Sequence, residues 1–237
     1  VAVVYAHTPE PVPEVEMHRP LAVPDRIVLT WTDDPATSQA VTWRTAARVD
    51  SAVAELTVAT PHGGFGRIEG MQDSAVTVLA TTQKLSTDLG EASYHSVEFK
   101  GLLPETLYAY RVGDGANWSE WLQFRTASRQ RKPFSFIYFG DAQREVKSQW
   151  SRVIRQAYKH ASDARFVIHA GDLVDRHNRD AQWGEWFNAG GWLNGMLPSI
   201  PAVGNHEYGS DENGTRHLST HWRPQFTLPM HGPKGLE

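Results

Sequence analysis

The stretch that decides the fold runs from Arg165 to Glu207; it begins R-F-V-I-H-A-G-D and ends I-P-A-V-G-N-H-E. The segment Phe134–Asp141, F-S-F-I-Y-F-G-D, precedes it with the same pattern. In all three places an apolar run ends in a glycine, which is followed by Asp141, Asp172 or Asn205. These residues are 31 and 33 positions apart, the length of one strand–helix–strand unit. The sequence therefore predicts parallel strands joined by helices.

Polar side chains follow each of these predicted strands. In a parallel sheet the carboxyl ends of the strands share one edge, and ligands bind at that edge. Asp141, Asp172, Asn205 and His206 are therefore expected to converge. Carboxylate, amide and imidazole groups are the oxygen and nitrogen ligands that a cluster of divalent metals needs. Each aspartate taken alone could instead be a helix N-cap, but the ordered set favours a metal site.

The pairs Gly140-Asp141 and Gly171-Asp172, followed by Gly204-Asn205-His206-Glu207, resemble the motifs of the calcineurin-like metallophosphoesterase superfamily. Together with the β-rich segment ahead of them, they resemble purple-acid-phosphatase-like enzymes over roughly residues 21 to 237. The resemblance implies a fibronectin type III-like sandwich followed by an α/β domain of the four-layer αββα type. The family's second half carries a lone histidine and a Gly-His-x-His motif, and neither occurs before Glu237. We therefore expect an incomplete catalytic domain whose sheet has one uncovered, apolar face.

Composition limits the classes of function. With 237 residues, 40% of them hydrophobic, the chain can build one large or two medium domains. A net charge of −4 offers no electrostatic footprint for nucleic acid. No apolar run approaches the ~20 residues that span a bilayer. The absence of cysteine excludes disulfides, thiolate ligands and cysteine nucleophiles. An extracytoplasmic location, secreted or periplasmic, is implied by the resemblance alone.

The chain divides into four predicted parts. Residues 1–24 carry five prolines and are expected to form an extended lead-in rather than a packed element. Residues 25–127 contain seven short β segments and predict an antiparallel sandwich, with strands near 27–32, 40–45, 54–59, 75–80, 94–99, 106–112 and 121–126. Residues 128–133 read as a polar linker. Residues 134–237 predict the α/β domain, with helices near 145–161 and 180–196.

The resemblance also implies roles for the site residues. Asp172 would bridge two metals, Asp141 would bind the first and Asn205 the second. His206 would lie beside the phosphate and assist the leaving group, because an imidazole can give or take a proton near neutral pH. Glu207 would orient His206 or a metal ligand from behind.

Two positions depart from the family pattern. Asp175 stands where purple acid phosphatases have the iron-binding tyrosine, so we expect no tyrosinate and no purple colour. Gln143 stands where other members of the superfamily have a histidine. Its amide oxygen can coordinate a hard cation, and we expect it to face the metal, although an ordinary helix-entry role is the alternative. Asp175 is expected to contact solvent or a residue that holds the metal; the alternative is that its carboxylate stands in as a ligand.

Other histidines lie close to these motifs. His169 ends an apolar strand and is expected to be structural. His177 follows the second motif and is a candidate for substrate contact. His217, His221 and His231 match no motif spacing and are expected at the surface.

The sequence as a whole predicts metal-dependent hydrolysis of small phosphate esters, either monoesters or diesters. By resemblance, two divalent or trivalent metals (Mn, Zn, Fe or Mg) would activate a bridging hydroxide that attacks phosphorus. The alternative is a non-catalytic binding module or inactive fragment whose sandwich binds a glycan or protein. Self-association or pairing with a missing C-terminal half is a further expectation.

Overall fold

The computed structural model describes residues 10–59 and 74–232. Within that part of the chain, the first domain is a sandwich of two four-stranded sheets with orders β1-β2-β6-β5 and β4-β3-β7-β8. Pairing within both sheets is antiparallel. The strands are β1 (Asp25–Thr30), β2 (Ser38–Ala46), β3 (Val53–Val58), β4 (Val76–Leu79), β5 (Thr81–Thr87), β6 (Gly90–Lys100), β7 (Leu107–Gly113) and β8 (Leu122–Arg125).

Alternation along the strands builds the sandwich core. On β7, Tyr108, Tyr110 and Val112 are all buried and pack with Trp43 and Phe124 between the two sheets. The predicted series lacks one strand, β5, whose sequence T-T-Q-K-L-S-T is mostly polar. It forms because the neighbouring strand β6 pairs with it along its whole length, which a local pattern of apolar residues does not reveal.

The lead-in packs more than its prolines suggest. Helix α1 (Glu14–Met17) follows Pro13, and His18 is buried. The His18 carbonyl accepts a hydrogen bond from Arg44 (3.0 Å), and the Leu21 carbonyl accepts one from the Ala46 amide (2.7 Å). The expectation of an unpacked lead-in is therefore wrong for these residues, because side chains and amides far along the chain bind it. Pro9 lies outside the described residues.

The second domain centres on a parallel sheet of order β11-β10-β9, with β9 (Ile137–Phe139), β10 (Val167–Ala170) and β11 (Ser199–Ala202). The predicted parallel arrangement is thus present, but the strands are shorter than the apolar runs. Two further strands, β12 (Tyr208–Ser210) and β13 (Arg216–Leu218), form an antiparallel hairpin immediately after β11. No helix or strand lies between β8 and β9, the segment in which the sequence places the domain boundary.

Helices cover one face of this sheet. A π-helical turn (Val146–Trp150) leads into α2 (Ser151–His160), and α3 (Asp180–Gly190) ends in a short 3-10 turn (Gly191–Leu193). Each of the two predicted helices therefore combines an α-helix with a short segment of another helix type, π before α2 and 3-10 after α3. A fourth helix, α4 (Trp222–Gln225), is a single turn. In the described part of the chain, no helix is long and apolar enough to cross a membrane.

Among residues 10–59 and 74–232, no helix or strand covers the opposite face of the sheet. Tyr138 on β9 and Ile200 on β11 are 65% and 37% exposed, and Phe136 beside them is also exposed. This is the uncovered apolar face expected from the sequence. The face lies away from the helices that bury Trp150, Trp183 and the other members of the domain core.

A buried ionic network joins the two domains. Asp180, at the start of α3, accepts two hydrogen bonds of 2.8 Å from the Arg26 guanidinium and lies 3.3 Å from Arg44. His221 is 1% exposed, with Nε2 3.3 Å from Asp180 and its ring stacked near Trp183. The surface location expected for His221 is therefore wrong, because the chain returns to bury it against this carboxylate. His217 and His231 are exposed.

Candidate active site

Three loops at the carboxyl edge of the parallel sheet carry the predicted site. Asp141 follows β9, Asp172 follows β10 and Asn205 follows β11. Asp141 and Asp172 both adopt left-handed backbone conformations, with φ of 54° and 52°. Such angles are uncommon outside glycine and cost on the order of 1 kcal/mol or more each. The same unfavourable turn at two successive strand ends indicates that the direction of these carboxylates is imposed by the fold.

Two glycines bring the second and third loops into contact. A β-carbon on Gly171 would lie 2.7 Å from the backbone of Gly204, and one on Gly204 would collide with the Asp172 carboxylate. Any side chain at either position would push the loops apart. The glycine in each motif therefore sets the distance between the Asp172 loop and the Asn205 loop.

Glu207 links the same two loops from beneath. Its side chain is fully buried, at 0% exposure. Oε2 accepts hydrogen bonds from the amides of Asp172 (2.8 Å) and Gly204 (2.7 Å), and Oε1 accepts one from Leu173 (2.8 Å). A carboxylate buried with three backbone donors is strongly held. Glu207 thus orients the backbone that carries Asp172, and it does not hydrogen-bond to the His206 ring.

His206 is held in one orientation by its neighbours. Its amide donates to Oδ1 of Asp172 (2.8 Å), and its Nδ1 lies 2.7 Å from the carbonyl oxygen of Asp175. A carbonyl oxygen can only accept, so Nδ1 carries the hydrogen and Nε2 is the nitrogen left for a substrate. The ring is partly exposed, which gives such a substrate access to it.

Asp175 contacts the site through its backbone carbonyl, a contact that its residue type does not predict. Its carbonyl positions His206, while its carboxylate lies 3.7 Å from His206 Nδ1 and 3.9 Å from Nε of Arg144. Arg144 is highly exposed and follows Gln143 directly. Arg144 was not among the predicted site residues. Its position in the loop after Asp141 is the feature of the sequence that could have identified it.

Oxygen atoms suited to a cation remain without protein partners here. Gln143 Oε1 is buried and has no hydrogen-bond partner. The side chains of Asp141 and Asn205 likewise make no hydrogen bond within residues 10–59 and 74–232. Carboxylate and amide oxygens suit hard cations, so Asp141, Gln143, Asp172 and Asn205 fit a metal-binding role. In the same ranges no three His, Cys, Asp or Glu residues group closely enough to hold a metal by themselves.

Two further histidines, His169 and His177, belong to β10 and to the segment that follows it. His169 is buried among Phe139, Trp150 and Trp186, and burial lowers its pKa to about 4. It is a neutral core residue, as its position in an apolar strand indicates. The ring of His177 packs against Gly209 of the β12–β13 hairpin, and its contact with a substrate stays a prediction.

Comparisons with known proteins identify both domains. Residues 24–126 match the family model described as the purple acid phosphatase N-terminal domain, and residues 134–232 match the calcineurin-like phosphoesterase model. The structure of the purple acid phosphatase PPD1 from yellow lupin (Lupinus luteus) seeds superposes with a TM-score of 0.69 at 17% identity, over 89% of this chain and 42% of that one. The structure of PhoD gives a TM-score of 0.51 at 16% identity, over 78% of this chain and 40% of that one. No curated protein matches the chain.

These structural likenesses establish a shared fold. The chain spans about two fifths of the length of the two solved structures.

Proposed function

We propose that this chain, which belongs to the calcineurin-like phosphoesterases and carries the N-terminal domain of purple acid phosphatases, acts in the metal-dependent hydrolysis of phosphate esters. The observation that carries the proposal is the placement of Asp141, Asp172 and Asn205 on three loops at one sheet edge, each directly after a strand. Gln143 adds a buried amide oxygen that has no hydrogen-bond partner among the described residues.

The metal ligands on this chain would be Asp141, Gln143, Asp172 and Asn205. A pair of divalent ions, when bound, would polarise the phosphoryl oxygens and lower the pKa of the attacking water. The protein's own contribution is to fix these oxygens before a cation arrives. The left-handed turns, the Gly171–Gly204 contact and the Glu207 hydrogen bonds all serve that purpose.

His206 would handle the proton of the leaving group. Hydrolysis adds the elements of water across the bond between phosphorus and the ester oxygen, and the departing alkoxide must gain a proton. With Nδ1–H bound to the Asp175 carbonyl, a protonated Nε2 can donate to that oxygen. Arg144 lies near Asp175 and is exposed, and its guanidinium would stabilise the negative charge of a bound phosphate ester.

The test is turnover of 4-nitrophenyl phosphate and bis(4-nitrophenyl) phosphate with added Mn²⁺, together with elemental analysis of bound metal. Asp172→Asn should lose activity by about 10²-fold or more and bind less metal, since a bridging charge is removed. Asp163→Asn is the matched control, because this exposed aspartate precedes β10 at the other sheet edge. Turnover and metal content that Asp172→Asn leaves unchanged would refute the proposal.

A further inference from the structure

A second concave site lies at the opposite edge of the parallel sheet. It is a cleft of about 680 Å³ between the sandwich, the segment joining the domains and the residues just before β9 and β10. Phe134 and Phe166 line it, and both precede their strands, whereas Asp141 and Asp172 follow them. Strands of three or four residues separate the two edges by on the order of 10 Å. The cleft is therefore distinct from the candidate active site.

Aromatic rings form one wall of the cleft. Trp31 from the sandwich meets Phe166 edge-to-face, with ring centroids 5.2 Å apart. Phe134 lies against Phe166 with centroids 5.8 Å apart, and it is exposed. Phe136, which is not part of the lining, stacks on one face of Phe166 with centroids 5.1 Å apart. A flat ring entering the cleft would therefore pack on the exposed ring of Phe134 and on the remaining surface of Phe166.

Basic side chains surround this wall. Arg125, Arg131, Lys132 and Arg165 all line the cleft, against one acidic residue, Glu105. Glu105 is already paired with Lys132 at 2.6 Å, and that ion pair lowers the pKa of the Glu105 carboxyl. The side chains of Arg131 and Arg165 make no hydrogen bond or ion pair within residues 10–59 and 74–232. Glu105, the acidic residue of this lining, is bound to Lys132 and acts on Arg165 only through a longer-range charge interaction, so both guanidinium groups keep their hydrogen-bond donors for an anion.

From this combination we propose that the cleft binds a small aromatic anion, a molecule with a flat ring system and a carboxylate or comparable acidic group. The ring would pack on Phe134 and Phe166, and the acidic group would pair with Arg131 and Arg165. The volume lies in the range of small-molecule sites, and such sites combine an apolar lining with a few placed charges. Arginine matches a planar carboxylate through paired hydrogen bonds. The proposal does not depend on phosphoesterase activity.

The experiment is calorimetric titration of the purified protein with 1-naphthoate, and with the neutral 1-naphthalenemethanol for comparison. We expect saturable binding of 1-naphthoate and at least a tenfold weaker affinity for the alcohol. The double variant Arg131→Gln/Arg165→Gln should weaken naphthoate binding at least tenfold. Phe134→Ala should weaken the binding of both ligands, because it removes part of the ring wall; the Phe134 side chain is exposed, so the variant should fold. Arg48→Gln, an exposed arginine elsewhere on the sandwich, should leave the affinity unchanged.

Several results would overturn the proposal. One is the absence of saturable naphthoate binding in the millimolar range; another is an alcohol that binds as tightly as the acid. Unchanged affinity in the double variant would show that Arg131 and Arg165 do not hold the acidic group. Naphthoate binding that persists in Asp172→Asn, with activity lost, would support the cleft as a site separate from catalysis.

Discussion

Replacing Glu207 by glutamine tests whether the candidate site depends on its buried carboxylate. The carboxylate accepts three backbone hydrogen bonds of 2.7–2.8 Å from the two loops that carry Asp172 and Gly204. Glutamine has nearly the same shape but only one acceptor oxygen. That oxygen can serve the amides of Asp172 and Gly204, and the glutamine NH₂ group then faces the amide of Leu173.

The loss of stability can be calculated from the number of hydrogen bonds that Glu207→Gln removes. A hydrogen bond to a charged group contributes about 1.5–3 kcal/mol, and a buried unsatisfied donor costs about 1–3 kcal/mol. The substitution removes one hydrogen bond to a charged group and leaves the glutamine NH₂ facing the N–H of Leu173. We therefore expect a destabilisation of about 3–5 kcal/mol. For a chain of this size each kcal/mol lowers Tm by about 2–4 °C. Glu207→Gln should therefore melt roughly 6–20 °C below the wild-type protein.

The assay is thermal unfolding followed by circular dichroism, with metal content measured on the same samples. Glu212→Gln is the control, since Glu212 is exposed on the loop of the β12–β13 hairpin and should change Tm little. Displacement of Asp172 should also weaken metal binding by about 10–100-fold. If Glu207→Gln melts within about 2 °C of Glu212→Gln, the two loops do not depend on this carboxylate and the reasoning fails.

Three further predictions follow from buried or strained groups. Asp180→Asn should destabilise the protein by about 3–5 kcal/mol in urea unfolding, because Arg26 would stay buried without its countercharge, whereas Arg44 keeps Asp25; an unchanged midpoint would contradict this. Burial lowers the pKa of His95 to about 4, so the unfolded chain, titrating near 6.5, binds the proton more readily. The contribution of His95 to stability is therefore complete above about pH 6.5 and falls by at most about 1.4 kcal/mol per pH unit down to about pH 4; His95→Gln should flatten that pH dependence of Tm, and an unchanged slope would contradict it. Asp141→Gly should raise stability by about 1 kcal/mol by relieving the positive φ while lowering turnover; a lower Tm would show that the turn is not strained.

Much of the architecture could be predicted from local patterns. Alternating apolar residues identified the sandwich strands, because a strand with one buried face repeats every two residues. Apolar runs ending in glycine and Asp141, Asp172 or Asn205 identified the edge of the parallel sheet. Those signals lie within a few neighbouring residues, so a single sequence carries them. The polar strand β5 was not predicted, because pairing with β6 and not its own composition holds it in the sheet.

The contacts that position the site were not local. The Glu207 side chain meets Asp172, 35 positions away, and the Asp175 carbonyl meets His206, 31 positions away. Residue types allowed several partners for each, and only the folded chain selects among them. The same holds for the cleft beside Phe134 and Phe166, whose walls come from both domains.

His221 shows most clearly the difference between what neighbouring residues predict and what tertiary contacts decide. Its sequence surroundings match no motif, and an isolated histidine in an irregular segment is ordinarily exposed. The fold instead buries it against Asp180, a carboxylate that also binds Arg26, 154 positions away. The sequence by itself determined seven of the eight sandwich strands, the three parallel strands and the oxygens that follow them, because these depend on near neighbours. Tertiary structure alone decided which charges are paired and buried, because that depends on groups brought together from distant parts of the chain.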